Sequence, residues 1–170
     1  MRILCLFAVL SLSSTLLFSQ DQTPPAAAFD AVGLVVSDIE TSERFYTEIL
    51  GFTQFYEFSL DEAWADKAGM GNGKALSVKM FRLGGGPTAA ALKLAYFAEA
   101  PAKKITSGID VESGVNYLTL RYQDSSDVKK RIKSAGIPIV GEVAGPGYEL
   151  FIVRDPDGVF IEIIQPPAAN

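Results

Sequence analysis

The amino-acid sequence predicts an α+β fold in which two tandem βαβββ modules follow one another along 170 residues. Three observations carry this prediction. An alternating apolar strand leads into a capped helix near residue 37, a second strand and helix of the same kind follow, and a β-hairpin closes the chain. The two predicted helices end at Gly51 and Gly136, 85 residues apart, which indicates a duplication.

The first module begins with a strand at residues 29–37, in which large apolar side chains occupy one face and small ones most of the other. Residues 37–40 form a capping-box pattern that starts a helix. An aromatic-rich strand follows at 52–58, and its aromatic side chains are expected in the core. Two further strands are expected at 76–83 and 90–97.

Residues 59–74 separate these strands and are interpreted as an insertion that contains a helical turn. The second module repeats the order with a strand at 115–122, a helix at 125–135 and a strand at 139–143. The final hairpin covers residues 151–165. The duplication therefore accounts for the whole predicted domain, residues 29–166, as modules 29–98 and 113–166 with a linker between them.

The second strand of the hairpin contains one carboxylate, that of Glu162, and its environment is the central question of the chain. The turn of the hairpin is Asp-Pro-Asp-Gly at 155–158, a sequence that favours a tight reversal. In the strand that follows, Glu162 alternates with Ile161 and Ile163, so its side chain leaves the sheet on the opposite face. A carboxylate among apolar neighbours is costly unless a cation, a metal or water meets it. The alternative is a solvent-exposed strand face.

The N-terminal residues have the pattern of a signal peptide. Within residues 1–19, Arg2 precedes a mostly apolar run that is too short and interrupted for a membrane span. Residues 20–28 have the composition of a linker. We expect export, to the periplasm or outside the cell, with cleavage near Ser19 and loss of Cys5, the only cysteine.

Composition excludes several function classes. The net charge of −5 and the lack of a basic stripe argue against nucleic acid as a partner, and no basic amphipathic stretch predicts membrane binding after cleavage. The chain has no histidine, which excludes a histidine-dependent triad and a closed Cys/His zinc site. Carboxylate, lysine, tyrosine and arginine remain for catalysis or binding.

Two motifs carry a resemblance to a known family. AVGLVVSDIETSERFYTEILGF opens the first module and VRDPDGVFIEIIQ closes the second, and together they resemble the vicinal oxygen chelate family. That family includes glyoxalase I, extradiol dioxygenases and the bleomycin and fosfomycin resistance proteins. The resemblance spans residues 29–165 and implies a glyoxalase-like fold, in which each sheet curls into a half-cup and the paired modules enclose one cavity.

The resemblance also implies where a metal would bind in metal-dependent members. The four ligand positions correspond to Ala31, Lys93, Tyr117 and Glu162 in this sequence. A methyl group, an ammonium and a phenol do not replace the imidazoles and carboxylate that such sites use. We therefore expect no metal and no cofactor.

The same positions predict a ligand site. By strand alternation Lys93, Tyr117 and Glu162 project into the cup, and Thr119 and Arg121 share the face of Tyr117. Such a wall would suit a small polar or anionic ligand. In the alternative, Lys93 and Glu162 neutralise one another in a filled core.

Three functions follow from these residues. The leading one is an exported, metal-independent protein that binds a small molecule, in the manner of the resistance proteins. The second is a metal-free enzyme in which Glu162 is the general base and Lys93 or Tyr117 the electrophile. The third is a metal-dependent lyase of the glyoxalase I type. A homodimer is a further expectation.

Overall fold

The computed structural model describes residues 29–103, 105–111, 113–145 and 147–166. It confirms the predicted α+β fold: two four-stranded sheets, each with a helix packed on one face, follow each other along the chain. The predicted signal peptide and the linker at 20–28 lie outside the described residues. In the part that is described, no helix is long and apolar enough to cross a membrane.

The first module has strand order β1-β4-β3-β2, with β1 parallel to β4 and the other pairs antiparallel. Helix α1 is capped by Asp38, whose carboxylate accepts the Thr41 N–H at 2.9 Å, so the cap lies one residue later than the pattern at 37–40 suggests. A π-helical turn, Phe45–Ile49, extends the helix. The elements are β1 (Ala31–Val35), α1 (Ile39–Arg44), β2 (Thr53–Leu60), α2 (Glu62–Lys67), β3 (Leu76–Arg82) and β4 (Ala91–Tyr96).

The second module repeats this topology with strand order β5-β8-β7-β6. Strand β6 begins two residues later than predicted, because Ile139 packs against the core instead of entering the strand. The elements are β5 (Tyr117–Arg121), α3 (Ser126–Ser134), β6 (Gly141–Gly145), β7 (Tyr148–Arg154) and β8 (Phe160–Gln165).

The strand registers make the modules equivalent position by position. Gly33 of β1 lies opposite Lys93 of β4, and Thr119 of β5 lies opposite Glu162 of β8. Lys93 and Glu162 therefore occupy matching places in the two sheets, as the sequence repeat predicted. They project from the sheet face away from the helices, which we call the cup face.

The opposite, helix-facing sides of both sheets contribute to one hydrophobic core. It contains Leu92, Leu94 and Ile161, as predicted. Phe52 is also buried, but Phe55 and Tyr56 are 42% and 57% exposed, contrary to the expected core position. Strand β2 is an edge strand with a register shift between Gln54 and Tyr56, so its middle has a partner on one side only.

The turn at 155–158 joins the two modules. Its Asp157 carboxylate accepts the Ser37 backbone N–H at 3.2 Å and the Ser42 hydroxyl at 3.4 Å. Asp155 accepts the Tyr46 hydroxyl at 2.9 Å between two buried side chains. The hairpin that the sequence predicts therefore also fixes the second module against helix α1 of the first.

Candidate functional site

The cup face of the second module is built from rows of side chains that cross three strands. One row joins Ile152 of β7, Glu162 of β8 and Thr119 of β5. The row beside it joins Arg154, Phe160 and Tyr117. Because strand alternation puts these residues on one face, an acid, a phenol and apolar side chains are neighbours there.

Four residues of these rows, Ile152, Glu162, Phe160 and Tyr117, line a cavity of about 450 Å³, which we call the cup cavity. A volume of this size is in the range that binds small molecules. One side is closed by Val140 and Gly141 and another by the chain that connects the modules. The lining residues are Ser107, Gly108, Ile109, Tyr117, Val140, Gly141, Ile152, Phe160 and Glu162.

Thr119 orients the carboxylate of Glu162. Its hydroxyl donates a hydrogen bond of 2.7 Å to Oε2, while the other carboxylate oxygen has no partner among the described residues. Glu162 is partly buried as a residue, while Thr119 and the hydrogen bond between them are exposed to solvent. An oriented carboxylate with one free oxygen can accept a proton or a hydrogen bond from a ligand.

Lys93 does not pair with this carboxylate. Within the described ranges no ion pair joins Lys93 to Glu162, and the Lys93 ammonium has no hydrogen-bond partner there. The alternative in which Lys93 and Glu162 neutralise one another in a filled core is therefore wrong. Because the chain is duplicated, the two residues occupy matching places in two separate sheets. Lys93 does not line the cup cavity.

Thr119 and Arg121 line a second cavity, of about 350 Å³, together with Val32 and Leu92 of the first module. A third, of about 220 Å³, lies between the end of β1, at Val35, and the residues that precede β5. The start of β1 and the end of β5 thus border one cavity, and the end of β1 and the residues before β5 border the other; we call this region the seam. The five predicted site residues lie along this face but do not share one cavity.

No pattern in the sequence indicates that the connecting segment lines the cup cavity. Arg154 holds it there by donating to the carbonyl of Ser107 at 3.2 Å and to that of Gly158 at 3.4 Å. Its guanidinium lies 4.0 Å from the centre of the Phe160 ring. Farther along the segment, Asn116 donates to the carbonyl of Ile109 at 3.3 Å. Strand parity with Glu162 could have identified Phe160, but the position of the connecting segment depends on tertiary contacts.

The four positions that the resemblance assigns to a metal do not fit one. Ala31 offers no donor atom, Lys93 offers a cation, and Tyr117 a phenol, which leaves Glu162 as the one carboxylate. Among the residues that the structure describes, no three His, Cys, Asp or Glu side chains are placed to hold a metal ion. The donor set therefore supports no metal-dependent step.

The strongly perturbed titratable groups lie at the junction of the modules. Burial raises the pKa of Asp155 above its ordinary value, although the hydrogen bond from Tyr46 acts in the opposite direction. Burial also raises the pKa of Tyr46 well above its ordinary value, and the Asp155 charge adds to this. Both side chains serve the docked turn, since Asp155 also accepts the N–H groups of Asp157 and Val159. We assign them a structural role.

Comparison with known proteins agrees with this geometry. The family model described as Glyoxalase/Bleomycin resistance protein/Dioxygenase superfamily matches residues 28–163. A lactoylglutathione lyase of Arabidopsis thaliana is 24% identical over 133 residues, which is 76% of this chain. The chain spans 41% of that relative's length.

Solved structures share the fold at low sequence identity. A glyoxalase family protein from Bacillus cereus has a TM-score of 0.72 at 18% identity, over 88% of this chain and 99% of that one. The antibiotic binding protein TnmS3 from a Streptomyces species has a TM-score of 0.59 at 20% identity, over 85% and 99%. Because the family model covers most of the chain, the protein belongs to the glyoxalase, bleomycin resistance protein and dioxygenase superfamily.

Proposed function

We propose that this protein is exported and binds a small molecule in the cup cavity without the help of a divalent metal. The observation that carries the proposal is the cavity of about 450 Å³, which combines apolar walls with the oriented carboxylate of Glu162 and the phenol of Tyr117. Apolar walls with a few polar groups are typical of small-molecule sites. The expected export rests on the sequence of residues 1–19.

The chemistry of the donor set favours binding over the metal-dependent reactions of the superfamily. One carboxylate in four positions leaves too few ligands for a divalent ion. TnmS3 is described as an antibiotic binding protein, and its fold resembles that of this chain. Sequestration of a ligand is therefore consistent with the architecture.

A metal-free enzyme is the second candidate, and one observation favours it. Glu162 and Tyr117 line the same cavity, so a carboxylate base and a phenolic hydrogen-bond donor could act on one substrate. Lys93 does not line this cavity, which leaves Tyr117 as the electrophile of that mechanism.

The test uses protein recovered from its native cell without chelator. N-terminal sequencing is expected to begin close to residue 20, and elemental analysis to find no stoichiometric zinc, nickel or iron. Native mass spectrometry is expected to detect a bound small molecule that Glu162→Gln loses. Intact Met1 would contradict export, and one metal ion per chain that is lost in the same variant would support the lyase.

Glu99→Gln is the matched control, because Glu99 is exposed and pairs with Lys74 away from the cup cavity. Turnover of the recovered molecule by the wild-type chain would identify an enzyme, and its unchanged release would identify a binding protein. Light scattering on the same preparation tests the expected homodimer.

A further inference from the structure

The charge inside the cup cavity is negative. Among its lining residues, Glu162 is the one charged side chain. Thr119 satisfies Oε2, and this leaves Oε1 without a donor from the described residues. A partly buried carboxylate that lacks a cation is stabilised by any ligand that brings one.

Three cationic side chains of the cup face, those of Lys93, Arg121 and Arg154, do not line the cup cavity. Lys93 belongs to the other sheet, and Arg121 lines the cavity at the seam between β1 and β5. Arg154 is the third, and its guanidinium stacks on the Phe160 ring and donates to backbone carbonyls. None of the three lines the cup cavity, although Arg154 lies against two of its lining residues, Phe160 and Ser107; among the described residues, Glu162 is therefore the one charge that directly faces a ligand there.

The remaining walls are apolar. Ile109, Val140, Ile152 and Phe160 can cover a hydrocarbon or aromatic body, while the Tyr117 ring offers an electron-rich face. A ligand that fits both features has an apolar body and one positively charged end.

We propose that the ligand of the cup cavity is an organic cation, of the arylalkyl or alkyl amine class, whose ammonium pairs with Glu162. This inference rests on the proposed function, because it names the chemical class that the same cavity binds. The ammonium donates to Oε1, and the apolar body lies against the walls formed by β6, β7 and the connecting segment.

Three probes with one carbon skeleton test the inference: 3-phenylpropylammonium, 3-phenylpropan-1-ol and 3-phenylpropanoate. Each is titrated into the isotopically labelled protein near neutral pH, and binding is followed by chemical-shift changes at residues of the cup cavity. The ammonium is expected to bind about 10- to 100-fold more tightly than the alcohol, because both can donate a hydrogen bond to Glu162 but only the ammonium brings a positive charge; this ratio corresponds to about 1.4–2.8 kcal/mol. The carboxylate is expected to bind most weakly.

Variants assign the effect to one side chain. Glu162→Gln keeps the shape of the side chain and should reduce the affinity for the ammonium to about that for the alcohol. Glu99→Gln removes the same charge at a site that is 87% exposed, and it should leave the affinities unchanged. The control separates a local pairing from a change in net charge.

The outcomes separate the ligand class from the function. If the alcohol or the carboxylate binds in the cup cavity as tightly as the ammonium, or if Glu162→Gln does not weaken the ammonium, the cation class is wrong while small-molecule binding stands. Shifts from the carboxylate at Arg121 instead would favour an anionic ligand at the seam. Absence of shifts from all three probes at millimolar concentration would overturn the inference, while a molecule recovered with the native protein would still support the proposed function.

Discussion

Substitution of Tyr46 by Phe tests whether the turn at 155–158 holds the modules together. The Tyr46 hydroxyl donates to Oδ2 of Asp155 at 2.9 Å, and the two side chains are 0% and 5% exposed. The substitution removes one oxygen atom and keeps the ring that packs at right angles to Phe45 and Phe52. Its effect should therefore reflect the hydrogen bond and not a loss of packing.

The expected loss of unfolding free energy is about 1.5–3 kcal/mol, the range for a buried hydrogen bond to a charged group. Water has little access to Asp155, so the oxygen that loses its donor is not rehydrated. The other oxygen keeps the N–H groups of Asp157 and Val159, which should preserve the turn.

The loss should depend on pH. In the wild type the pKa of Asp155 is already raised by burial and is held down by the Tyr46 hydrogen bond, so the variant has a still higher pKa. Because a folded-state pKa above the unfolded value favours the folded state at low pH, the contribution of Asp155 is lost as the pH rises through that pKa. The difference between variant and wild type should therefore grow as the pH rises through the raised pKa of Asp155, and it should be smaller in acid.

Urea denaturation followed by circular dichroism measures this difference at several pH values. Tyr56→Phe is the control, because the Tyr56 side chain is 57% exposed and its hydroxyl has no partner among the described residues. The control should change stability by less than about 0.5 kcal/mol. A Tyr46→Phe effect no larger than that of the control would refute a role for this bond in holding the modules together.

Three further predictions follow from other contacts. Lys93→Met and Glu162→Gln should combine additively to within about 0.5 kcal/mol, and a larger coupling in a double-mutant cycle would mean that the two residues meet. Burial raises the pKa of Tyr122 to about 12, so stability should fall as the pH rises from 10 towards 12, and less so in Tyr122→Phe; equal slopes would contradict this. Arg154→Gln should speed hydrogen exchange in residues 105–111, because the bond to the Ser107 carbonyl is lost; an unchanged rate would show that other contacts hold the segment.

The sequence predicts the fold well because each step of the prediction depends on local chemistry. Helix stops at Gly51 and Gly136 have φ values of 81° and 68°, in the left-handed region that favours glycine. Strand parity correctly assigns Leu94 and Ile161 to the core. The core prediction is wrong for Phe55 and Tyr56, because an edge strand exposes aromatic side chains that a central strand would bury.

The site was less predictable than the fold. Strand alternation places Lys93 and Glu162 on the cup face, but it does not determine how far apart two residues of different sheets lie. It also says nothing about the connecting segment, whose Ile109 becomes a wall of the cup cavity through contacts with distant residues. The placement of Lys93 and Arg121 outside the cup cavity is a tertiary property, and the proposal of a cationic ligand rests on it.

The two modules share a topology, but their side chains differ at matching positions, and this difference explains why the cup cavity lies in the second module. Matching positions carry small side chains in the first sheet and large or polar ones in the second: Ala31, Ala91 and Gly33 correspond to Tyr117, Phe160 and Thr119. Small apolar residues cannot enclose a ligand or orient a carboxylate. Thr119 orients the Glu162 carboxylate through a 2.7 Å hydrogen bond. Replacing Tyr117 and Thr119, which are exposed, by the small residues of the first module should therefore abolish binding while leaving the helix-facing core intact. If Tyr117→Ala and Thr119→Gly together left the affinity for 3-phenylpropylammonium unchanged, the side chains of the second module would not be what forms the site.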